Sequence, residues 1–148
     1  MGAMMEKKHF TIAIDWSEKP LETWLEQYGS WLLIGNHADN LGCKSQIGYL
    51  IDLANGTVQD SRKRCAPRCN INDDQAQAIE DMLVHLRETE GEKIKRWLTI
   101  VGDYHVNFYS EEQIAQFYHL SRFAVTRDKM LGLVRIATRF KLDSRLTA

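Results

Sequence analysis

The chain has 148 residues, of which 44% are hydrophobic and 26% are charged, a composition that suits one packed domain and argues against wholesale disorder. The net charge of -1 does not by itself predict a nucleic-acid-binding protein, because dedicated DNA-binding domains are usually basic. Three cysteines disfavour a disulfide framework, and no apolar run approaches the ~18 residues of a membrane span. We therefore expect a cytoplasmic protein with no membrane partner.

The spacing of apolar residues predicts a mainly α-helical fold, a compact helical bundle. We interpret residues 1–19 as an N-terminal arm, in which the loosely alternating residues 9–16 form either a short strand or an ordered extension. We interpret residues 20–148 as a single helical domain. The helices predicted in it cover about residues 20–34, 72–89, 92–107, 110–118 and 121–140.

Particular residues should start, stop or disturb these helices. Asn72 is a favourable N-cap, and Ser110 begins a capping box. Gly35 and Asn36 should end the first helix, and Gly102 should disturb the helix that starts at about residue 92, because glycine lowers helix stability. The apolar stripes of the helices place seven residues in the core: Trp24, Trp31, Ile79, Leu83, Trp97, Leu98 and Val101.

Residues 35–70 follow no regular period, so we expect a long irregular loop there. The loop is basic, because five Lys or Arg and only two acidic residues lie between positions 41 and 70. Four of the cations lie within seven residues of sequence, which suits phosphate, RNA or an acidic protein surface, although such runs are also common on solvated loops. These cations are Arg62, Lys63, Arg64 and Arg68.

Two cysteines of the same loop, Cys65 and Cys69, have C-x3-C spacing. A zinc ion needs four ligands, and beyond this pair the chain offers only the scattered Cys43, His37 and His105. We therefore expect no bound metal and no other cofactor. The sequence contains no P-loop, G-x-S-x-G or H-E-x-x-H motif, and its histidines are dispersed, so we expect no enzymatic activity.

The C-terminal part of the chain, over residues 110–140, has the layout of a helix-turn-helix. Ala115 is small where two helices must cross closely, Leu120 can fill the space between them, and Val125 packs back in the second helix. His119 occupies the turn position, where a positive φ is easiest for glycine but is tolerated by histidine. The alternative is an ordinary helical hairpin in an all-α core.

Asp128 departs from the motif, which often has another apolar residue at this position. The exposed side of the second helix nevertheless suits DNA, because Arg binds guanine edges with two hydrogen bonds and both Arg and Lys neutralise phosphate. Positions 110–148 contain seven Lys or Arg and four acidic residues. A merely solvated helix face would carry similar charges. The residues predicted on this side are Arg122, Phe123, Thr126, Arg127 and Lys129.

Over about residues 21–140 the chain resembles the small phage late-gene antitermination proteins of the Q type. That family has a W-G-x-W near its start, a basic stretch before paired acids at a helix start, and a polar or charged residue at the position of Asp128. The matching segments are, in chain order, Trp24 to Trp31 (WLEQYGSW), Ser61-Arg62, Asp73 to Ala76 (DDQA), Ala115, and Ser121 to Gly132.

The resemblance implies a protein that binds double-stranded DNA near a phage late promoter. It further implies that the protein joins bacterial RNA polymerase, paused there with its sigma factor, and makes it read through pauses and terminators without catalysing a reaction. The basic loop would face polymerase or nascent RNA. Some relatives carry a zinc-binding insert, which the cysteine pair of the loop does not reproduce. By position, the implied DNA contacts are Ser121, Arg122, Thr126, Arg127 and Lys129.

Two other functions stay open at this point. One is a helix-turn-helix repressor that occludes a promoter, which would require a two-fold dimer with half-sites about one DNA turn apart. No dimerisation helix is obvious in the sequence. The other is a helical interaction or metal-binding protein with no role on DNA, and DNA-binding measurements with and without a chelator would distinguish it.

Overall fold

The computed structural model describes residues 9–39 and 64–146. Its fold is mainly helical, as predicted, and the described residues contain no strand. None of the described helices combines the length and apolar character needed to cross a membrane. The elements are α1 (His9–Ile12), a 3-10 turn (Trp16–Glu18), α2 (Leu21–Asp39), α3 (Asp73–Thr89), α4 (Glu92–Val101), a π-helical turn (Gly102–Val106), α5 (Glu111–Tyr118) and α6 (Arg122–Phe140).

The helix starts agree with the caps that the sequence predicts. Asn72 accepts a hydrogen bond from the Gln75 N–H at 2.8 Å, and the Gln75 side chain accepts one from the Asn72 N–H at 3.0 Å. Ser110 and Gln113 form the second capping box in the same way. Each box satisfies two backbone donors that a helix start leaves without partners. These local interactions fix where α3 and α5 begin.

The N-terminal segment contains no strand at residues 9–16, so that alternative is wrong. A helical turn and a 3-10 turn stand there instead, and they bury Phe10 and Trp16. The Trp16 indole N–H donates to the Phe10 carbonyl at 2.8 Å, and the Trp24 indole N–H donates to the Trp16 carbonyl at 3.0 Å. Large aromatic surfaces with satisfied N–H groups thus attach residues 9–19 to α2.

Helix α2 also continues past Gly35 and Asn36, which were expected to end it, and reaches Asp39. A single glycine costs a helix only about 1 kcal/mol, which the neighbouring turns can offset. Near residue 102 the expected disturbance is present, because the α-helical hydrogen bonds of α4 give way to the π-helical turn at Gly102.

One large core joins α1, α2, α3, α4 and α6, and it contains four of the seven predicted residues. These four are Trp24, Ile79, Leu98 and Val101. The other three, which were expected to be mostly buried, are only half-buried: Trp31 and Leu83, which pack against this core, and Trp97. On α3 the centre of the buried stripe is held by Met82 and Leu86 instead.

Two glycines allow the helices of this core to approach closely. A Cβ atom on Gly29 of α2 would lie 2.2 Å from the carbonyl oxygen of Val106 in the π-helical turn. A Cβ on Gly132 of α6 would lie 2.6 Å from Val101 Cγ2 and 3.0 Å from the Trp97 carbonyl oxygen of α4. Any larger residue would push these elements apart, so the two glycines set the positions of the π-helical turn and of α6.

Residues from the C-terminal segment close the start of α2. The Leu21 N–H donates to the Asp143 carbonyl at 2.7 Å. The buried Glu22 carboxylate accepts hydrogen bonds from the Ser144 hydroxyl and, at 3.1 Å, from the Arg145 N–H. A helix start without a side-chain cap is thereby satisfied by a distant part of the chain.

Candidate nucleic-acid interface

Helices α5 and α6 form a hairpin with a tight turn. His119 adopts the left-handed conformation, with φ 54° and ψ 43°, and the N–H groups of His119 and Leu120 both donate to the Ala115 carbonyl. Ser121 then caps α6 by accepting from the Ala124 N–H at 3.0 Å. The positive φ expected at His119 is therefore present, and only three residues separate the end of α5 at Tyr118 from the start of α6 at Arg122.

A small apolar cluster holds the hairpin against α4. Its buried members are Ile114 of α5, Val125 of α6 and Ile100 of α4, and Ala115 and Leu120 pack against it. Leu120 therefore contributes to the cluster between the helices, as the sequence predicts, and Val125 is fully buried. Because α4 belongs to the large core as well, the hairpin is fixed to the body of the protein.

The side of α6 that faces solvent carries three of the predicted residues prominently. The side chain of Arg122 is 67% exposed, that of Arg127 is 49% exposed, and Phe123 is 75% exposed. The oxygen of the Ser121 hydroxyl accepts the capping hydrogen bond, which leaves the O–H as its donor. Thr126 is exposed, but its hydroxyl lies within hydrogen-bond distance of Glu111 and of the Arg122 carbonyl.

Lys129 does not lie on this exposed face, so the prediction was wrong for this residue. Its side chain is only 16% exposed, and its ammonium lies 3.4 Å from Glu111 Oε1 and 3.7 Å from the ring centre of Tyr104. Position 129 follows the buried Val125 by four residues, which places both on one side of the helix. Lys129 therefore lies on the inner side of α6, where its ammonium joins α6 to Glu111 of α5 and to the ring of Tyr104.

Acidic residues at the start of α5 lie beside the cations of α6. Burial favours the neutral form of Glu111, but hydrogen bonds from Thr126 and Lys129 outweigh it and hold the pKa of Glu111 below its usual range. Arg122 Nη1 lies 3.6 Å from Glu112 Oε1, and both side chains are more than half exposed. An exposed ion pair of this kind contributes only about 0–1 kcal/mol, so a stronger anion can replace Glu112.

Asp128, the residue that departs from the motif, is a buried carboxylate that meets two arginines. Its side chain is 2% exposed. Arg127 Nε donates to Oδ1 at 3.2 Å, and Arg96 Nη2 of α4 lies 3.3 Å from Oδ2. The side chains of Arg127 and Arg96 are 49% and 54% exposed. An apolar residue at this position would leave both guanidinium groups without this shared partner.

Arg64 of the basic loop is anchored within the protein and is not a freely solvated cation. Its Nη2 donates to the Tyr104 carbonyl at 2.8 Å and to Glu26 at 3.3 Å, and its guanidinium carbon lies 3.7 Å from the Tyr104 ring centre. Arg68 is exposed, whereas Arg62 and Lys63 lie outside the described residues. Within the described part of the chain, only Arg68 thus agrees with a solvent-facing basic loop.

A buried histidine, His105, contacts the same Glu26 carboxylate oxygen as Arg64. His105 is 4% exposed, and its Nδ1 lies 3.3 Å from Glu26 Oε2. Burial lowers the pKa of His105 more than the hydrogen bond and charge of Glu26 raise it. In the neutral form of the ring, Nδ1–H donates to Glu26. Burial alone would raise the pKa of Glu26, but hydrogen bonds from His105 and Arg64 lower it overall.

Two clefts border the hairpin. One of about 320 Å³ brings Arg64 and Arg122 to a common surface beside Tyr104. The other, of about 370 Å³, lies between α4 and the hairpin turn. Its lining consists of Arg96, Thr99, Ile100, Tyr118 and Leu120.

The described residues form no group of three or more His, Cys, Asp or Glu that could hold a metal ion. Cys65 is exposed, Cys69 is half-buried, and both are free thiols. Cys43 lies outside the described residues, as does the side chain of His37. The exposed side of α6, by contrast, brings together hydrogen-bond donors, cations and an exposed aromatic ring. These are groups suited to binding a polyanion.

Sequence reasoning missed Arg96, Glu26 and Tyr104, whose roles depend on contacts between distant segments. No local pattern marks them, because each looks like an ordinary member of an amphipathic helix or turn. Comparisons of this chain with protein-family models, with curated proteins and with solved structures find no significant match.

Proposed function

We propose that this protein binds double-stranded DNA with the exposed side of α6. The observation that carries the proposal is the hairpin: two capped helices joined by a left-handed turn at His119, with Val125 packed inward and two arginines facing solvent. In helix-turn-helix proteins, a hairpin of this layout places its second helix in the major groove of DNA. The chain's resemblance to Q-type antiterminators supports a transcriptional role.

In that role the protein acts near a phage late promoter in the cytoplasm of a bacterial host. It joins RNA polymerase that is paused there with its sigma factor, and makes it read through pauses and terminators. The protein catalyses no reaction itself, so its effect comes from binding. The basic loop would contact polymerase or nascent RNA, whereas α6 would hold the protein on its DNA site.

The chemistry of the exposed side of α6 supports DNA as the ligand. Arg122 and Arg127 offer planar guanidinium groups that can bind a guanine edge or a phosphate with paired hydrogen bonds. The exposed ring of Phe123 can contact the methyl group of a thymine. Lys129 lies behind the helix and raises the local potential without reaching the DNA.

The experiment that tests DNA binding begins with selection of bound sequences from a random duplex pool. Arg127→Ala should then weaken binding to the selected site by ~1–3 kcal/mol and relax the preference at one base position. Arg87→Ala, which removes the same charge from the exposed side of α3, is the matched control. Unchanged specific binding in folded Arg122→Ala and Arg127→Ala proteins would refute the assignment of α6.

A second experiment separates DNA binding from the action on polymerase. The variant neutralises Arg62, Lys63 and Arg68 and keeps Arg64, because Arg64 contacts Glu26 and Tyr104 inside the protein. Specific binding to free DNA should persist, with only a small loss of long-range attraction that salt screens. Transcription through a terminator downstream of the selected site should fall sharply. Full read-through by the variant would show that the loop is only a solvated surface.

A different observation favours a second candidate function, that of a helical interaction protein with no role on DNA. Phe123, Met130 and Val134 are 75%, 46% and 37% exposed, and their spacing places them on one side of α6. Such a side could dock on another protein. Failure to select any duplex, together with unaltered behaviour in chelator, would favour this candidate. Selection of a duplex with two half-sites and no read-through would favour a repressor.

A further inference from the structure

The contacts of Asp128 leave two guanidinium groups with unused hydrogen-bond donors. Arg127 donates a hydrogen bond to Oδ1 through Nε, whereas Arg96 Nη2 forms an ion pair with Oδ2 at 3.3 Å without a hydrogen bond. A guanidinium has five N–H donors in a rigid planar array. The other donors of both arginines have no partner among the described residues, and both side chains remain about half exposed.

The charges around Asp128 do not cancel. One carboxylate faces two guanidinium groups, so this cluster carries a net positive charge at the surface beside α6. Because Asp128 itself is 2% exposed, an approaching anion meets the guanidinium groups and not the carboxylate. The buried carboxylate can thus hold two cations in place without repelling a ligand by direct contact.

Arg96 lies on α4, outside the hairpin, and at the rim of the 370 Å³ cleft between α4 and the hairpin turn. When a helix lies in a major groove, the sugar-phosphate strands that border the groove pass on either side of it. With α6 in such a groove, the exposed Arg127 would reach the bases, and Arg96, which approaches Asp128 from α4, would lie to the side of α6 where a bordering strand passes. The cleft gives that strand a concave surface.

We propose that Arg96 binds a backbone phosphate of the DNA, and that Asp128 is a positioning residue that orients both Arg96 for the phosphate and Arg127 for a base. The inference rests on the proposed DNA-binding function and adds a contact from outside the hairpin. It also explains why a buried acid occupies a position where such motifs often have an apolar residue.

Salt dependence tests the phosphate contact. Affinity is measured by titration at several salt concentrations, on the duplex selected by the wild-type protein and on a mixed-sequence duplex without that site. Arg96→Ala should reduce the slope of log K against log salt by about 0.9, the value for one lost phosphate contact. It should weaken binding to both duplexes by the same factor, because a phosphate contact carries no sequence information.

Lys95→Ala is the matched control, because it removes one positive charge from the neighbouring position of the same helix. Its ammonium lies 3.4 Å from Glu92 Oε1, and its side chain is 39% exposed. The salt slope of this variant should equal that of the wild type. An equal loss of slope in Arg96→Ala and Lys95→Ala would show a general charge effect and would overturn the contact.

Asp128→Asn tests the positioning role, because a change in charge and a loss of positioning have different effects on the affinities for the two duplexes. The substitution raises the net charge by one unit, so simple electrostatics predicts tighter binding to every duplex. Loss of positioning predicts instead that the ratio of specific to non-specific affinity falls. An unchanged ratio in a folded Asp128→Asn protein, even with a lower melting temperature, would overturn the positioning role.

Arg96→Ala could unfold the protein by leaving Asp128 with one partner fewer, so the double variant Arg96→Ala/Asp128→Asn removes the buried charge as well. This protein should show the reduced slope, and a wild-type slope would refute the phosphate contact. If the wild-type protein binds neither the pool nor the mixed-sequence duplex, the proposed function itself fails. That result differs from a failure confined to Arg96, in which the wild type binds and the variants do not differ.

Discussion

Replacing Gly29 with alanine should destabilise the protein strongly, although alanine is the better helix former. In a helix interior the exchange of glycine for alanine gains about 1 kcal/mol. At Gly29, however, the new Cβ would lie 2.2 Å from the Val106 carbonyl oxygen, whereas a carbon and an oxygen normally approach to about 3.3–3.6 Å. The two backbone segments must therefore separate by roughly 1 Å.

Inserting one carbon into a packed core costs about 1–3 kcal/mol, and the upper end applies because a backbone carbonyl cannot rotate away as a side chain can. The net loss for Gly29→Ala is therefore about 2 kcal/mol. Gly35→Ala in the same helix is the matched control, because nothing lies within 4 Å of its Cβ position. That variant should gain about 1 kcal/mol.

The two variants should thus differ by about 3 kcal/mol in the free energy of unfolding, from the two estimates above. Urea unfolding followed by circular dichroism measures this difference, since the midpoint shifts in proportion to stability when the slope is unchanged. If Gly29→Ala proved as stable as Gly35→Ala, the close approach of α2 to the π-helical turn would be wrong.

Two further predictions concern the buried histidine and the exposed phenylalanine. Because burial lowers the pKa of His105 from its usual 6.5, the unfolded chain takes up this proton first, so stability should fall as the pH drops below about 6.5. The lowered pKa of Glu26 adds a second loss below about 4.5. Thermal melting of His105→Gln across pH should lack the first loss and show a smaller second one, because His105 and Arg64 together lower the pKa of Glu26 and only Arg64 remains. Replacing thymines of the selected site by uracil, one at a time, should weaken wild-type binding roughly fourfold at the base that Phe123 touches, the value of one buried methyl group. Phe123→Ala should be indifferent to that change, and an equal loss in both proteins would contradict the contact.

Local signals in the sequence were sufficient to predict where α3, α5 and α6 begin. The caps at Asn72, Ser110 and Ser121 depend on residues three positions apart, and the left-handed turn at His119 depends on its own backbone and its neighbours. Interactions of this range are visible in a single sequence, because the partners occupy fixed offsets. The start of α3 and the limits of the hairpin were therefore predicted closely.

The arrangement around the hairpin could not be predicted in the same way. Arg64 contacts Tyr104, and Arg96 contacts Asp128, across separations of 40 and 32 positions, and no periodicity indicates which helices meet. Lys129 is a different case, because its spacing from Val125 could have placed it on the inner side. Its positive charge suggested solvent exposure, whereas the ring of Tyr104 and the carboxylate of Glu111 compensate it inside.

The closure of α2 by the C-terminal segment has a consequence for protein synthesis. The Glu22 carboxylate accepts a hydrogen bond from the Ser144 hydroxyl, 122 positions later in the chain. The Leu21 N–H donates to the carbonyl of Asp143. At about 5–20 residues per second, a ribosome needs on the order of ten seconds to make the intervening chain. During that time α2 lacks the α6 residues that share the large core with it, so part of its apolar side stays uncovered until the C-terminal residues have emerged.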